Sequence, residues 1–126
     1  MGLPSALARH LPDVAPDLGR LWALDLWPEP MPVDHLAWHL DLPLWRDGGR
    51  PYCLCPRAVI SDPSRYRSQY ARVLACDLGY PIDVTWWNRR YAILDGVHRL
   101  AKAVLYDRET IEVRKVPQAA LDRLAA

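Results

Sequence analysis

The spacing of hydrophobic positions changes character near residue 80. From Pro81 onward apolar residues alternate, with Ile82, Val84 and Trp86 on one side and Asp83, Thr85 and Trp87 on the other, the period of a half-buried strand. Asn88 and Arg89 offer a tight turn into a second strand over Tyr91 to Leu94. Beyond Asp95 and Gly96 the period lengthens: Val97, Leu100, Ala101, Val104 and Leu105 fall on one face of a helix. Ile111 to Val116 return to a strand pattern, and Pro117 opens a short C-terminal helix.

Upstream the pattern is broken into short pieces. Residues 1 to 20 carry Pro4, Pro12 and Pro16 with weak periodicity and read as a loosely held arm with room for one short helix. Leu21 to Trp27 fits a strand or a buried helical turn equally well, and Pro28 to Pro32 forces an extended link. Val33 to Trp45 places Leu36 and Leu40 at helical spacing behind Asp34 as N-cap, predicting a short helix that ends before Pro43. Asp47, Gly48 and Gly49 mark a turn. A further helix is predicted behind Asp62 as cap and Pro63 at its first position, with Tyr66, Tyr70, Val73 and Leu74 as an apolar stripe ending at Gly79. The whole order predicts a small α+β domain without internal repeats.

Composition sharpens this division. Nine of the twelve prolines fall within the first 56 residues, so regular architecture must come mostly from the second half. At 126 residues and 51% hydrophobic the chain is sized for one globular core. With 16 basic and 15 acidic side chains the net charge is +1, which leaves no global footprint for nucleic acid or an anionic membrane, so anion binding must be local. No run approaches a membrane span and no secretory signal is visible, which makes cytoplasmic the default expectation. Cys53, Cys55 and Cys76 are odd in number and read as free thiols, and a second copy of the chain is a candidate partner.

Chemistry concentrates in residues 93 to 103, ILDGVHRLAKA, where a strand runs through a glycine directly into a helix. Gly96 permits a tight turn, and the free N–H groups of the first helical turn, at Val97, His98 and Arg99, meet the positive end of the helix dipole. Arg99 can bind a phosphate bidentately, and Asp95 stands where a carboxylate could hold Mg²⁺ or take a proton from a substrate hydroxyl. Spacing alone gives an equally good plain reading, with Asp95 as a cap, Gly96 as a turn residue and Arg99 as a surface charge paired with Asp107 or Glu109. Elsewhere, His35 and His39 stand four apart without a third ligand. Trp38, Trp45, Trp86 and Trp87 could stack a ring but must also pack the core of a chain without Phe. Asp83, Tyr80 and Asp77 are drawn near the mouth of the Gly96 turn. Arg89 and Arg90 read as a solvated turn.

The run ILDGVHRLAKAVL resembles the signature of the ParB/sulfiredoxin superfamily, in which a glycine followed by His-Arg or Arg-Arg opens a helix that binds nucleotide phosphate. The likeness spans roughly residues 31 to 117, and its specific part lies between Pro81 and Ala103. Together with VDHLAWHLDLPLW and CDLGYPIDV it is similar to small stand-alone ParB-like proteins. The resemblance implies a short mixed sheet with flanking helices, divided into a Pro-rich arm over residues 1–30 and a nucleotide-binding domain over 31–126. It implies ATP or another nucleotide, with Mg²⁺ at Asp95, cofactor contacts from Gly96, Val97, His98 and Arg99, and catalytic roles for Asp95, His98 and, less directly, Asp41. Asp95 matches the aspartate that serine-kinase members place before their glycine. Their catalytic glutamate has no match between Pro32 and Arg46, where Asp41 and Asp34 are the nearest acids. Val97 occupies the position of the sulfiredoxin cysteine, which excludes sulfinic-acid reduction as the expected chemistry. A phosphotransferase acting on a hydroxyl-bearing metabolite is the leading expectation; a non-catalytic module sensing a nucleotide or phosphometabolite is the alternative, and DNA association ranks behind both.

Overall fold

The computed structural model describes residues 3–126. Its centre is a four-stranded mixed sheet in the order β1-β6-β4-β5. The hairpin β4 (Ile82–Trp87) and β5 (Arg90–Asp95) turns at Asn88 and Arg89, both with positive φ as a two-residue hairpin turn demands. Helix α5 (Val97–Leu105) then crosses back so that β6 (Thr110–Lys115) lies parallel to β4, and β1 (Glu29–Pro32) closes the other edge antiparallel to β6. The sheet, the hairpin and α5 form where the alternation and the helical stripe predict them, and the molecule is a small α+β domain.

Several expectations in the Pro-rich half are overturned. The link predicted over Pro28 to Pro32 is the edge strand β1. Proline is tolerated at an edge because no neighbour on its open side needs the missing N–H, and Met31 is buried between Pro30 and Pro32. Val33 to Trp45 forms two short 3-10 turns, Val33–His35 and Ala37–Asp41, in place of one helix, and Asp34 caps neither. The Asp47–Gly49 turn joins a separate hairpin, β2 (Trp45–Asp47) with β3 (Arg50–Leu54). Asp62 closes α3 (Pro56–Ser61), which was not predicted, and the following helix α4 (Arg67–Ala75) begins four residues later than expected without a side-chain cap. Its stripe packs through Val73, Tyr66 and Tyr70, while Leu74 is exposed.

The arm is packed. Helix α1 (Ser5–Ala8) and the residues after it bury Leu7 and Leu11 against Ala92 of β5. Helix α2 (Leu18–Trp22), capped by the Asp17 carboxylate accepting from the Arg20 N–H, buries Leu21 against Val116, Ala120, Leu121 and Leu124. The last two belong to the C-terminal helix α6 (Leu121–Leu124). The sheet is therefore covered on both faces. That is why β4 is not half-buried at its start: Asp83 and Thr85, predicted to face outward, are 1% and 0% exposed, and Trp86 is the half-exposed one. Among the described residues no helix is long and apolar enough to cross a membrane.

Candidate functional site

Strand β5 ends at Asp95, and Gly96 turns the chain with φ +123°, a conformation that side chains rarely adopt. The first helical hydrogen bond runs from the Leu100 N–H to the Gly96 carbonyl, so the N–H groups of Val97, His98 and Arg99 precede it. Arg99 folds back over the glycine. A Cβ at residue 96 would stand 3.0 Å from the Arg99 guanidinium and 3.0 Å from the buried Ile82 side chain, so a side chain there would be crowded as well as strained in φ. The guanidinium donates to Asp95 Oδ2 at 3.3 Å, and its Nε is buried with no acceptor among the described residues. The Trp22 indole N–H donates to the same Asp95 oxygen at 3.0 Å.

His98 is not a cationic phosphate donor. It stacks on Trp45 with ring centroids 4.2 Å apart, and its Nε2 lies 2.9 Å from Gln69 Oε1. The Gln69 amide is oriented by its own N–H donation to the Arg46 carbonyl, so Oε1 must accept and His98 Nε2 must carry the proton. Burial, reinforced by the positive charge of Arg72, pushes the His98 pKa down to about 4, and the ring is neutral at pH 7. It therefore presents a lone pair at Nδ1 and a backbone N–H.

Two cavities meet at this turn, and Arg99 lines both. The smaller, about 310 Å³, includes Asp95 through Arg99, Trp45 and Cys76. The larger, about 660 Å³, is lined by Trp22, Tyr80, Pro81, Asp83, Arg99 and Arg114. Asp83 sits opposite Asp95 in the β4–β5 register, so two carboxylates flank one arginine. Arg114 donates from Nε to Asp83 Oδ1 at 2.6 Å and from its two terminal nitrogens to the carbonyls of Leu24 and Leu21. Burial raises the Asp83 pKa and Arg114 opposes that rise.

The structure brings Asp95, Gly96, Val97, His98 and Arg99 together, and puts Asp83 and Tyr80 beside them. Asp41 is elsewhere: exposed, bonded to Arg57 of α3, and lining neither cavity. Asp34 lines a separate groove, and Asp77 accepts from the Gly79 N–H in a turn. His35 and His39 do not form a ligand pair. His35 is exposed, while His39 is 1% exposed, donating from Nδ1 to the Leu36 carbonyl and accepting at Nε2 from the Ile93 N–H. Burial holds its pKa down at about 4. Arg90 lies over the Trp38 ring at 3.4 Å instead of standing free in solvent. The three cysteines are free thiols. Among the described residues no cluster of three or more His, Cys, Asp or Glu could hold a metal.

Trp22, Arg114 and Gln69 were missed. One local signal pointed to Trp22: Asp17 before LGRLW is an N-cap ahead of a helical turn. Nothing local marks Arg114 or Gln69, whose partners lie more than twenty residues away. No family model, curated protein or solved structure matches the chain.

Proposed function

We propose that the chain is a nucleotide-binding phosphotransferase acting on a hydroxyl-bearing small molecule, with the Gly96 turn as its phosphate site. The observation that carries the reading is Arg99: it stands at a helix N-terminus, lines both cavities, and holds a buried Nε–H without an acceptor, a group whose desolvation costs about 1–3 kcal/mol until an oxygen meets it. Phosphate oxygens would accept from the N–H groups of Val97, His98 and Arg99 and from the guanidinium.

Asp95 is the candidate proton acceptor. Trp22 and Arg99 both donate to Oδ2, which orients the carboxylate and leaves Oδ1 for the hydroxyl of the acceptor molecule. In the transfer, the hydroxyl oxygen bonds to the terminal phosphorus, the bridging P–O bond to the nucleoside diphosphate breaks, and the hydroxyl proton passes to Asp95. Mg²⁺ would be carried by phosphate oxygens and not by Asp95, because Asp83 is tied to Arg114, both Asp95 oxygens are engaged in this scheme, and among the described residues no cluster of three or more His, Cys, Asp or Glu could hold it. When bound it would neutralise phosphate charge. Neutral His98 supplies its backbone N–H and orders the turn through Trp45 and Gln69.

Isothermal titration with nucleoside di- and triphosphates, with and without Mg²⁺, tests the reading. Arg99→Ala should abolish binding, whereas Asp95→Asn should keep it and remove turnover. Wild-type chain that binds no nucleotide overturns the proposal. A sensing module without turnover is favoured by one feature, the Asp95 carboxylate serving as an anchor for Trp22. It is the conclusion if nucleotide binds but phosphorus NMR detects no product over a panel of hydroxylated metabolites.

A further inference from the structure

A further cavity, of about 320 Å³, opens between the β2–β3 hairpin and the start of α4, and its walls are basic. Arg46, Arg65, Arg67 and Arg72 all line it, with Asp47 as its one carboxylate. None of the four arginines is ion-paired among the described residues. Arg46 donates to the Gly49 carbonyl at 3.3 Å, and Arg65 lies over the Tyr66 ring. The first hydrogen bond of α4 runs from the Tyr70 N–H to the Tyr66 carbonyl, so the N–H groups of Arg67, Ser68 and Gln69 precede it, and no side chain caps them. Residues 46–72 hold six arginines and two aspartates in a chain of net charge +1, so the rest of the chain is net acidic. Like charges gathered round one hollow repel each other, and no carboxylate among the described residues closes on them.

We propose that this cavity is a second anion site, separate from the Gly96 turn, and that it takes the phosphoryl group of a phosphomonoester. A carboxylate has one charge and two oxygens, which a single guanidinium fork saturates. A phosphomonoester brings nearly two charges and three acceptor oxygens, enough to engage several arginines and the α4 amides together. A compact hollow suits one such group better than a strand of nucleic acid, whose successive phosphates need a groove that follows the backbone. The group can arrive on a free metabolite or on a phosphorylated side chain of a partner protein, with the same chemistry at the cavity. Gln69 lines this cavity, and its Oε1 accepts from His98, which lines the smaller cavity at the turn. The two sites are neighbours but share no arginine, since Arg99 lines the cavities at the turn and not this one. The proposal therefore stands without the nucleotide reading.

Amide NMR of the whole chain locates the binding, in the wild type and in Arg99→Ala, which removes the guanidinium of the turn. The probes are glycerol 3-phosphate and its sulfate-ester counterpart, a short phosphoserine peptide and its unphosphorylated form, and a single-stranded DNA octamer. Glycerol 3-phosphate and the phosphopeptide should shift the amides of Arg67, Ser68 and Gln69 saturably in both chains, and the sulfate ester and plain peptide should bind about tenfold more weakly or not at all. The tighter of the two phosphomonoesters identifies the source. Arg67→Ala and Arg72→Ala should each weaken binding about tenfold, the share of one charge-assisted hydrogen bond. Arg57→Ala removes the same charge outside the cavity and should leave affinity unchanged. All three side chains are exposed, so the fold survives their loss. No saturable shift at residues 67–69, equal binding of the sulfate ester, or an equal loss in Arg57→Ala overturns the proposal. Binding of the octamer alone overturns it in favour of a nucleic-acid surface. Shifts confined to Val97, His98 and Arg99 and lost in Arg99→Ala overturn it and leave the phosphate turn standing.

Discussion

The arm that carries Trp22 and the turn that carries Arg99 meet at one carboxylate, yet they are held in opposite ways. The turn is local. Asp95 and Arg99 are four residues apart, Gly96 lies between them, and the supporting hairpin closes over two residues. The arm is held from a distance: Leu21 and Leu24 by Arg114, Arg20 by the Ala125 carbonyl, the Asp17 N–H by the Leu124 carbonyl, and Leu7 and Leu11 by Ala92. One half of the site is thus a property of the continuous run from Ile82 to Arg99, and the other half is a property of the finished fold.

The most severe way to break this contrast is Arg114→Met. It leaves the Asp83 charge buried without its partner and releases two arm carbonyls, and loss of one member of a buried pair costs about 3–5 kcal/mol. Urea unfolding should show that loss, and hydrogen exchange should show the amides near Leu21 and Leu24 deprotected before those of α5. Next is acidification. His39 ties a 3-10 turn to β5 across 54 residues as a neutral ring with its pKa near 4. The unfolded chain, with an ordinary imidazole, binds more protons between about pH 6.5 and 4. The contribution of His39 is therefore complete above about pH 6.5 and lost as pH falls toward 4, about 3 kcal/mol in all. His98 is held near 4 by burial as well, so His39→Gln should remove about half of the pH dependence of the urea midpoint over that window and leave the His98 share.

Gly96→Ala attacks the local half. A left-handed φ and contacts at 3.0 Å on both Ile82 and Arg99 predict a loss of about 1–3 kcal/mol and displacement of the guanidinium. Thermal unfolding should register the first effect and weakened nucleotide binding the second. Asp41→Asn should do least. An exposed ion pair contributes about 0–1 kcal/mol, and Asp41 lines neither cavity, so a change in nucleotide affinity would show that Asp41 belongs to the site.

What could be read in advance follows the same division. Alternation at Ile82 to Trp87, the Asn88-Arg89 turn and the stripe from Val97 to Leu105 are consequences of neighbouring residues, and they carried the sheet, the hairpin and α5. Proline counting misled at Glu29–Pro32, because the rule that excludes proline from strands applies to paired N–H groups and β1 is an edge. Asp83 looked solvent-facing because its strand alternates. Only the packing of α2 and α6 over that face, fixed by residues far away in sequence, shows that it is buried and paired. His98 was legible as part of the turn but not as neutral, since its proton is assigned by Gln69 and Arg46.

The long reach of Arg114 also bears on how the molecule is made. Its side chain is 90 residues beyond Leu24 and 93 beyond Leu21. At a synthesis rate of about 5–20 residues per second, the arm waits about 5–20 s for the arginine that anchors it. Through that interval Trp22 and Leu21 are apolar groups on a nascent chain with nowhere to dock. The three prolines at 28, 30 and 32, which cannot donate to a growing strand, then protect the newborn segment from pairing with its neighbours before β6 arrives.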